Sequence, residues 1–259
     1  MWDRILGFVP AGALAVLVLA SLSAQVRRPY VENFDSGPGG WYADRYFALP
    51  VWDGVAYCYG PWWVDANHAP PGAGYLHLLM WMYTDKRHYQ GDSDYLRKLP
   101  YRGNRFAEEN FSRDLTGASV SVRIRGELEA RGAQVVLLAQ AKTPKTTANL
   151  ALTGRPLRVT RDWSEQTVEL DPDPKLWTCL GARHDMTTLY GCDSAAAVLA
   201  DVNLDLIFLL FPVEVRPADP AVREPDRLRA LQDYPVNPKY LPKGLIMFDW
   251  VRIDYPSGK

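Results

Sequence analysis

Cysteine and histidine are scarce in this sequence, with three Cys and four His among 259 residues. Three cysteines are too few for a disulfide-rich scaffold, and their spacing fits no zinc-binding pattern. Cys179 and Cys192 close a short loop, which predicts a disulfide between them in an oxidising compartment and leaves Cys58 unpaired. Three buried free thiols are the alternative.

An excess of positive charge is also absent. Lys and Arg number 29 against 30 Asp and Glu, for a formal net charge of −1. Proteins that neutralise many phosphates carry a clear basic excess, so this balance argues against nucleic acid as a partner. It provides no broad basic patch for a membrane surface either.

Recognisable catalytic motifs are missing as well. The chain has no Glu-x-Asp-x-x-Glu strand of the sandwich glycosidases, no Gly-x-Ser-x-Gly elbow and no His-Glu-x-x-His helix. The glycine-rich segment at 37–40 lacks the Lys-Ser/Thr pair of a phosphate-binding loop. We therefore expect this segment to be a turn.

Charged residues do not occur from Ile5 to Val26, a run of 22 residues. Arg4 before the run and the small residues Ser21, Ser23 and Ala24 near its end are typical of a cleaved signal peptide, although Leu22 departs from that pattern. A run of this length can also span a hydrocarbon core of about 30 Å, so an uncleaved N-terminal anchor is the alternative. Residues 1–26 therefore predict an exported protein that is periplasmic, secreted or anchored to the outer face of the membrane, with no other membrane contact.

Several segments after residue 26 have the period of β-strands. From Ala118 to Arg125 apolar and polar residues alternate, which puts Val120, Val122 and Ile124 on one buried face. Leu204 to Val213 is nearly all apolar, which predicts a strand buried on both faces. Further strands are predicted at 133–141, 166–170 and 246–254. Short strands between Gly- and Pro-rich turns predict an all-β fold, a two-sheet antiparallel sandwich formed by residues 27–259 as one domain.

Helices are expected to be few and short. Ser194 to Asp201 and Pro225 to Gln232 are the two predicted helices, and both lie in connections between strands. The tract at 212–242 contains seven prolines. A strong strand follows it, so we predict a surface excursion within the same domain.

Aromatic residues are abundant and unevenly placed. The chain has nine Trp, 14 Tyr and eight Phe, and 16 of these lie between Trp41 and Phe106. Aromatic rings with polar tips can lie flat against sugar rings, whose C–H faces are apolar while their hydroxyls seek hydrogen bonds. The concentration predicts a glycan ligand. The alternative is that these rings fill a second core layer under long loops.

The segment from Tyr75 to Tyr83 is predicted to be a strand with two different faces. Because alternate side chains point to opposite sides of a strand, one face should be an apolar core formed by Leu76, Leu78, Met80 and Met82. The other face should be mostly aromatic, and the segment around Trp52 to Trp63 adds further aromatic surface. The predicted ligand-binding residues are Tyr75, His77, Trp81, Tyr83, Trp62 and Trp63.

Four short motifs carry a family resemblance. They are NFDSG at 33–37, GGW at 39–41, DW at 162–163 before an alternating strand, and FDWVRID at 248–254. Together they resemble the opening, internal and closing strands of secreted carbohydrate-binding modules of the jelly-roll, galactose-binding-like type. The resemblance implies a jelly-roll-like sandwich with a glycan site on a sheet face or at the loop ends.

The same resemblance often implies a structural calcium ion near the paired terminal strands. Asp35 and Asp249 occupy the acidic positions of the motifs, and Glu32 is a nearby candidate ligand. Oxygen ligands of this kind suit calcium. Three carboxylates do not complete a site, so solvated charges at strand ends are the alternative.

Two other functions fit the same fold. A polysaccharide lyase would need a Tyr or His base near an Arg that neutralises the uronate, and a glycoside hydrolase would need paired carboxylates. The predicted catalytic residues of such an enzyme are His77, Tyr83 and Arg87. A cell-envelope scaffold whose aromatic region packs against another protein is the second alternative.

Arginines on two predicted sheet faces could recognise acidic sugars through bidentate hydrogen bonds. Ion pairs with neighbouring Asp and Glu are the alternative, since the overall charge is near zero. These arginines are Arg123, Arg125, Arg131, Arg155, Arg158 and Arg161.

Overall fold

The fold is mostly β, and its strands form two sheets. This confirms the predicted all-β sandwich. The export segment predicted at 1–26 lies outside the residues described, and no described helix is long and apolar enough to cross a membrane. The structure is a computed structural model that describes residues 27–43, 48–62, 64–65, 75–85 and 104–256.

The smaller sheet has six strands in the order β10-β7-β14-β4-β3, with β1 also paired to β14. All of its pairings are antiparallel. Its strands are β1 (Tyr30–Glu32), β3 (Val51–Trp52), β4 (Val55–Tyr59), β7 (Ser119–Glu129), β10 (Ser164–Glu169) and β14 (Lys243–Asp254).

The larger sheet has eight strands in the order β11-β9-β8-β13-β6-β2, with β12 paired to β9 and β5 to β6. Only the pairing of β12 with β9 is parallel among the described strands. Its strands are β2 (Trp41–Tyr42), β5 (Val64–Asp65), β6 (Tyr75–Tyr83), β8 (Gln134–Lys142), β9 (Thr147–Ala151), β11 (Thr178–Cys179), β12 (Tyr190–Gly191) and β13 (Asp205–Val213).

The main core lies between the two sheets. Val120, Val122 and Ile124 are fully buried there, as their alternation predicts. Across the interface, the rings of Phe208 on β13 and Phe248 on β14 lie 5.2 Å apart. β13 pairs with a strand on each side and is buried on both faces over most of its length, which confirms the prediction for this segment.

Helical structure is limited to short connections in the described residues. α1 spans Arg105–Glu108 and α2 spans Ala195–Leu199, where the Ser194 side chain accepts a hydrogen bond from the Ala197 N–H as an N-cap. Three 3₁₀ turns lie at 174–176, 225–227 and 238–240.

The predicted helix at 225–232 is wrong beyond its first turn. Only Pro225–Arg227 is helical, and Leu228 is already extended. The chain bends back after this turn because Ala230 and Tyr234 pack with Val64 of β5 in a separate buried cluster. The excursion is therefore attached to the larger sheet by a small core of its own.

The predicted disulfide between Cys179 and Cys192 is present, with 5.8 Å between the Cα atoms. Cys58 is buried on β4 and has a free thiol. The disulfide ties β11 to the segment that follows β12, and both of these strands pair with β9.

Candidate functional site

The two faces of β6 do not follow simple alternation. Met80 pairs with Phe208, but the next pair is Leu78 with Leu209, so one extra residue of β6 lies between them. Such an irregularity exchanges the faces of the residues on its two sides. The predicted apolar face is therefore wrong: Leu76 and Leu78 belong to a cluster on the outer face of the larger sheet, whereas Met80 and Met82 lie in the main core.

Trp81 and Tyr83 lie on this outer face with Tyr42 of β2. The Trp81 ring centroid is 5.0 Å from that of Tyr42 and 4.9 Å from that of Tyr83. The Trp81 Nε1–H donates to the Ala43 carbonyl at 2.8 Å, and only 5% of Trp81 is exposed. Trp81, which was expected to lead the ligand-binding face, is thus a packed and hydrogen-bonded residue.

His77 and Trp62 form a second group, with ring centroids 6.1 Å apart. Leu76 and Leu78 on either side of His77 point outward, so the imidazole points inward. His77 is completely buried, and neither of its ring nitrogens has a hydrogen-bond partner within the described part of the chain. Burial lowers the pKa of His77 to about 4, which keeps the ring neutral at physiological pH.

The predicted catalytic group is not assembled by the described residues. His77 points into the sandwich and Tyr83 points to the outer face, so the two side chains lie on opposite sides of β6. Arg87 and Trp63 lie outside the described residues, and for Tyr75 only the backbone pairing with Val213 is described.

A row of polar side chains crosses the outer face of the larger sheet beside Trp81. Its members are direct cross-strand partners on β6, β13, β8 and β9, namely Tyr83, Asp205, Gln140 and Asn149. The Gln140 Nε2 donates to the Asn149 Oδ1 at 2.7 Å. Sequence patterns did not reveal this row because it depends on the register of four strands. Gln140 and Asn149 are buried, so this part of the row is closed to a ligand.

The three carboxylates of the predicted calcium site make separate contacts. Glu32 is 2% exposed, its Oε1 accepts from the Phe34 N–H at 3.0 Å, and its Oε2 lies 3.6 Å from Arg105 Nη1. Burial raises the pKa of Glu32 above its ordinary value. Asp249 instead accepts from Arg123, and Asp35 accepts from Asn33. In the described part of the chain, no group of three or more His, Cys, Asp or Glu side chains is placed to hold a metal ion.

The exposed aromatic surface lies on the smaller sheet. β3 and β4 form a hairpin around Asp53 and Gly54, both with positive φ, which is the turn that an Asp-Gly pair favours. Ala56 and Cys58 point into the core, so Tyr57 and Tyr59 point outward. Trp52 is 76% exposed and Tyr59 is 56% exposed.

The exposed rings are arranged in order along the hairpin. Trp52 pairs with Val55, which lies on the same side of β4 as Tyr57 and Tyr59. The rings of Tyr57 and Tyr59 are nearly parallel, with 9° between their planes and 5.8 Å between their centroids. The Asp-Gly dipeptide and the alternation of β4 are the sequence signals that could have placed this surface.

This surface continues across the two neighbouring strands. Tyr57 pairs with Met247 of β14, and Met247 pairs with Arg125 of β7. The Arg125 guanidinium lies over the Trp163 ring, 4.6 Å from its centroid. Half-buried Trp250 pairs with Arg123 on the same side. We call this surface the aromatic face and define it by Trp52, Tyr57, Tyr59, Trp163 and Trp250.

A shallow groove of about 590 Å³ borders the aromatic face beyond Tyr59. Leu245, the cross-strand partner of Tyr59, forms part of its wall. Its charged lining comes from Glu127, Glu129, Arg161 and Lys243. The groove therefore gives the exposed rings a polar rim carrying both signs of charge.

Comparison with known proteins does not assign a family. No family model matches the sequence, and no curated protein matches it. Among solved structures, the chain is similar to apo Crh5 transglycosylase, with 10% identity and a TM-score of 0.37 over 88% of this chain and 85% of that one.

Two further solved structures have comparable similarity. A structure of the endo-acting O-glycanases of prominent human gut microbiota members has 10% identity and a TM-score of 0.37, over 88% of this chain and 99% of that one. The L4b domain of human laminin alpha-2 has 6% identity and a TM-score of 0.32, over 90% of this chain and 100% of that one. Similarity at this level establishes neither a family nor a function.

Proposed function

We propose that this protein is an exported glycan-binding protein and that its aromatic face is the binding surface. The observation that carries the proposal is the exposure of Trp52 and Tyr59 beside the parallel ring of Tyr57. A contiguous patch of exposed aromatic side chains is typical of a surface that meets a partner. Sugar rings fit such a surface because their C–H faces pack on aromatic rings while their hydroxyls bond to polar groups at the rim.

Two features of the structure support the rest of the proposal. The Cys179–Cys192 disulfide suits an oxidising compartment, in agreement with the expected export. The charged groove beside Tyr59 supplies hydrogen-bonding groups at the edge of the rings. The proposed binding surface therefore differs from the predicted one, which centred on Trp81, a residue that the structure shows to be buried.

The proposal predicts that removing the exposed rings abolishes glycan binding without unfolding the protein. Each substitution, Trp52→Ala or Tyr59→Ala, should weaken binding roughly tenfold, and the pair should abolish retention. Their thermal unfolding should stay near that of wild type, since exposed side chains contribute little to stability. Affinity electrophoresis against a panel of polysaccharides measures retention, and circular dichroism measures unfolding.

Leu189→Ala provides a matched control, because Leu189 is also 56% exposed but lies in the loop closed by the disulfide. This variant should bind like wild type. The same incubations are assayed for new reducing ends and unsaturated products. Products would indicate an enzyme, and a wild-type protein that is retained on no polysaccharide would favour a surface for another protein.

A further inference from the structure

We propose that the aromatic face selects acidic glycans and that Arg125 binds their carboxylate or sulfate groups. This inference rests on the proposed glycan-binding function and adds the chemical class of the ligand. Two observations carry it: the position of the Arg125 guanidinium among the rings of the aromatic face, and the absence of an ion pair or hydrogen bond to it among the described residues.

Arg125 lies in the middle of the aromatic face. Across the sheet, its neighbour on β14 is Met247, and the neighbour of Met247 on β4 is Tyr57. The Arg125 guanidinium lies over the Trp163 ring. An aromatic ring stacked on a guanidinium restrains the guanidinium plane. The N–H groups at the edge of that plane remain free to donate hydrogen bonds. Arg125 is therefore held in an orientation suited to bidentate binding of a planar anion.

Arg123 and Arg131 form ion pairs, whereas Arg125 forms none with the residues that the structure describes. Arg123 also lies over Trp163, but its Nη1 donates to Asp249 at 2.6 Å. Arg131 pairs with Glu129 at 2.7 Å. Within the described ranges, by contrast, no hydrogen bond or ion pair engages the Arg125 guanidinium, and its buried Nε is without a partner.

Of the Arg125 guanidinium, only the Nε is among the buried polar atoms without a partner in the described residues, so the terminal nitrogens are the atoms that a ligand can reach. An anion approaches them from the open side of the sheet, where the aromatic rings lie. A carboxylate or sulfate on a bound glycan suits these nitrogens, because either group accepts two parallel hydrogen bonds.

The spacing of the strands agrees with a glycan that contacts Tyr57 and Arg125 together. Two strand separations of about 4.8 Å place these residues roughly 10 Å apart across the sheet. This distance is close to the length of two linked sugar rings. A ring stacked on Tyr57 would place its neighbour over Met247, with an acidic substituent within reach of Arg125.

The test compares acidic glycans with neutral forms of the same polymers. Polygalacturonate, alginate and hyaluronate are each paired with their carboxyl-reduced forms, and dextran sulfate is paired with dextran. Wild-type protein should bind at least one acidic polymer about tenfold more tightly than its neutral partner, and added salt should weaken this binding. Comparison of the three uronate polymers with dextran sulfate shows whether the site prefers a carboxylate or a sulfate group.

Arg125→Gln should weaken binding to that acidic polymer by about ten- to hundredfold and leave neutral binding unchanged. The affinity of Arg125→Lys for the acidic polymer should be intermediate, because lysine keeps the positive charge but cannot donate two parallel hydrogen bonds. Arg223→Gln on the exposed excursion removes the same charge elsewhere and should behave like wild type. Circular dichroism confirms that each variant is folded.

Several results would overturn the inference, and they separate it from the proposed function. Equal binding of acidic and neutral polymers, or acidic binding unchanged by Arg125→Gln, would contradict the role of Arg125 while leaving a glycan-binding protein. A loss of neutral and acidic binding together in Arg125→Gln would show a structural role only. No retention of wild type on any polymer would reject both proposals.

Discussion

The neutral imidazole of His77 links the stability of the protein to pH. His77 has no solvent exposure, and burial lowers its pKa from 6.5 to about 4. In the unfolded chain the ring takes up a proton more readily than in the native state. Stability from this group is therefore complete above pH 6.5 and is lost as the pH falls toward 4.

We predict that acidification from pH 6.5 to pH 4 lowers the free energy of unfolding by about 3 kcal/mol through His77. Urea unfolding of wild type and His77→Leu across this range measures the effect. As the pH falls from 6.5 to 4, the stability of wild type relative to the variant should fall by about 3 kcal/mol, whichever protein is the more stable at pH 6.5. Buried Glu32 acts in the opposite direction, but both proteins carry it, so its contribution cancels. An unchanged difference would contradict the assignment.

Within single strands, local sequence patterns predicted the strands well and the faces of their side chains less well. Val120, Val122 and Ile124 were predicted as a buried face because β7 alternates without interruption at these positions. The irregularity between Leu78 and Met80 depends on pairing with β13, which is more than 120 residues away in the chain. Periodicity within β6 alone could not show it. His77 and Trp81, which were predicted to share a face, therefore lie on opposite faces.

Close contact between β14 and β7 depends on Gly244. A Cβ atom at this position, where φ is 137°, would lie 1.9 Å from the Glu127 carbonyl oxygen of the neighbouring strand. We predict that Gly244→Ala lowers the free energy of unfolding by at least about 2 kcal/mol, because it adds this clash to backbone strain. Thermal and urea unfolding measure the loss.

Gly132→Ala separates the two causes. Gly132 also has a positive φ, of 90°, but a Cβ atom there would meet nothing within 4 Å. This control should lose only about 1 kcal/mol from backbone strain. Equal losses in the two variants would show that the strand contact at Gly244 contributes nothing.

The Cys179–Cys192 disulfide holds a loop to the edge of the larger sheet. The two residues are 13 positions apart, and a bridge of this loop length contributes about 3 kcal/mol in the chain-entropy model. Replacing both residues by Ser should lower the free energy of unfolding by roughly that amount. The unfolded wild-type protein should contain one reactive thiol before reduction and three after it. Three thiols before reduction would contradict the bridge.

For the whole molecule, composition and alternation were enough to predict the two-sheet sandwich, because buried strands need continuous or alternating apolar residues. The binding surface was not predictable in the same way. Trp81 and Trp52 are chemically the same residue, yet Trp81 is covered through contacts with Tyr42 and Ala43, and Trp52 projects from a hairpin turn. Only the tertiary structure distinguishes aromatic residues of the core from those exposed on the surface. The abundance of aromatic residues in the sequence therefore does not identify the site.

Glycan binding by the aromatic face can be measured by calorimetric titration of wild type and of the Trp52→Ala/Tyr59→Ala double variant with the polysaccharide that wild type retains. We predict a saturable heat of binding for wild type and none for the double variant, with both proteins showing the same thermal unfolding. Binding by the double variant with wild-type affinity would show that the glycan site lies elsewhere on the molecule.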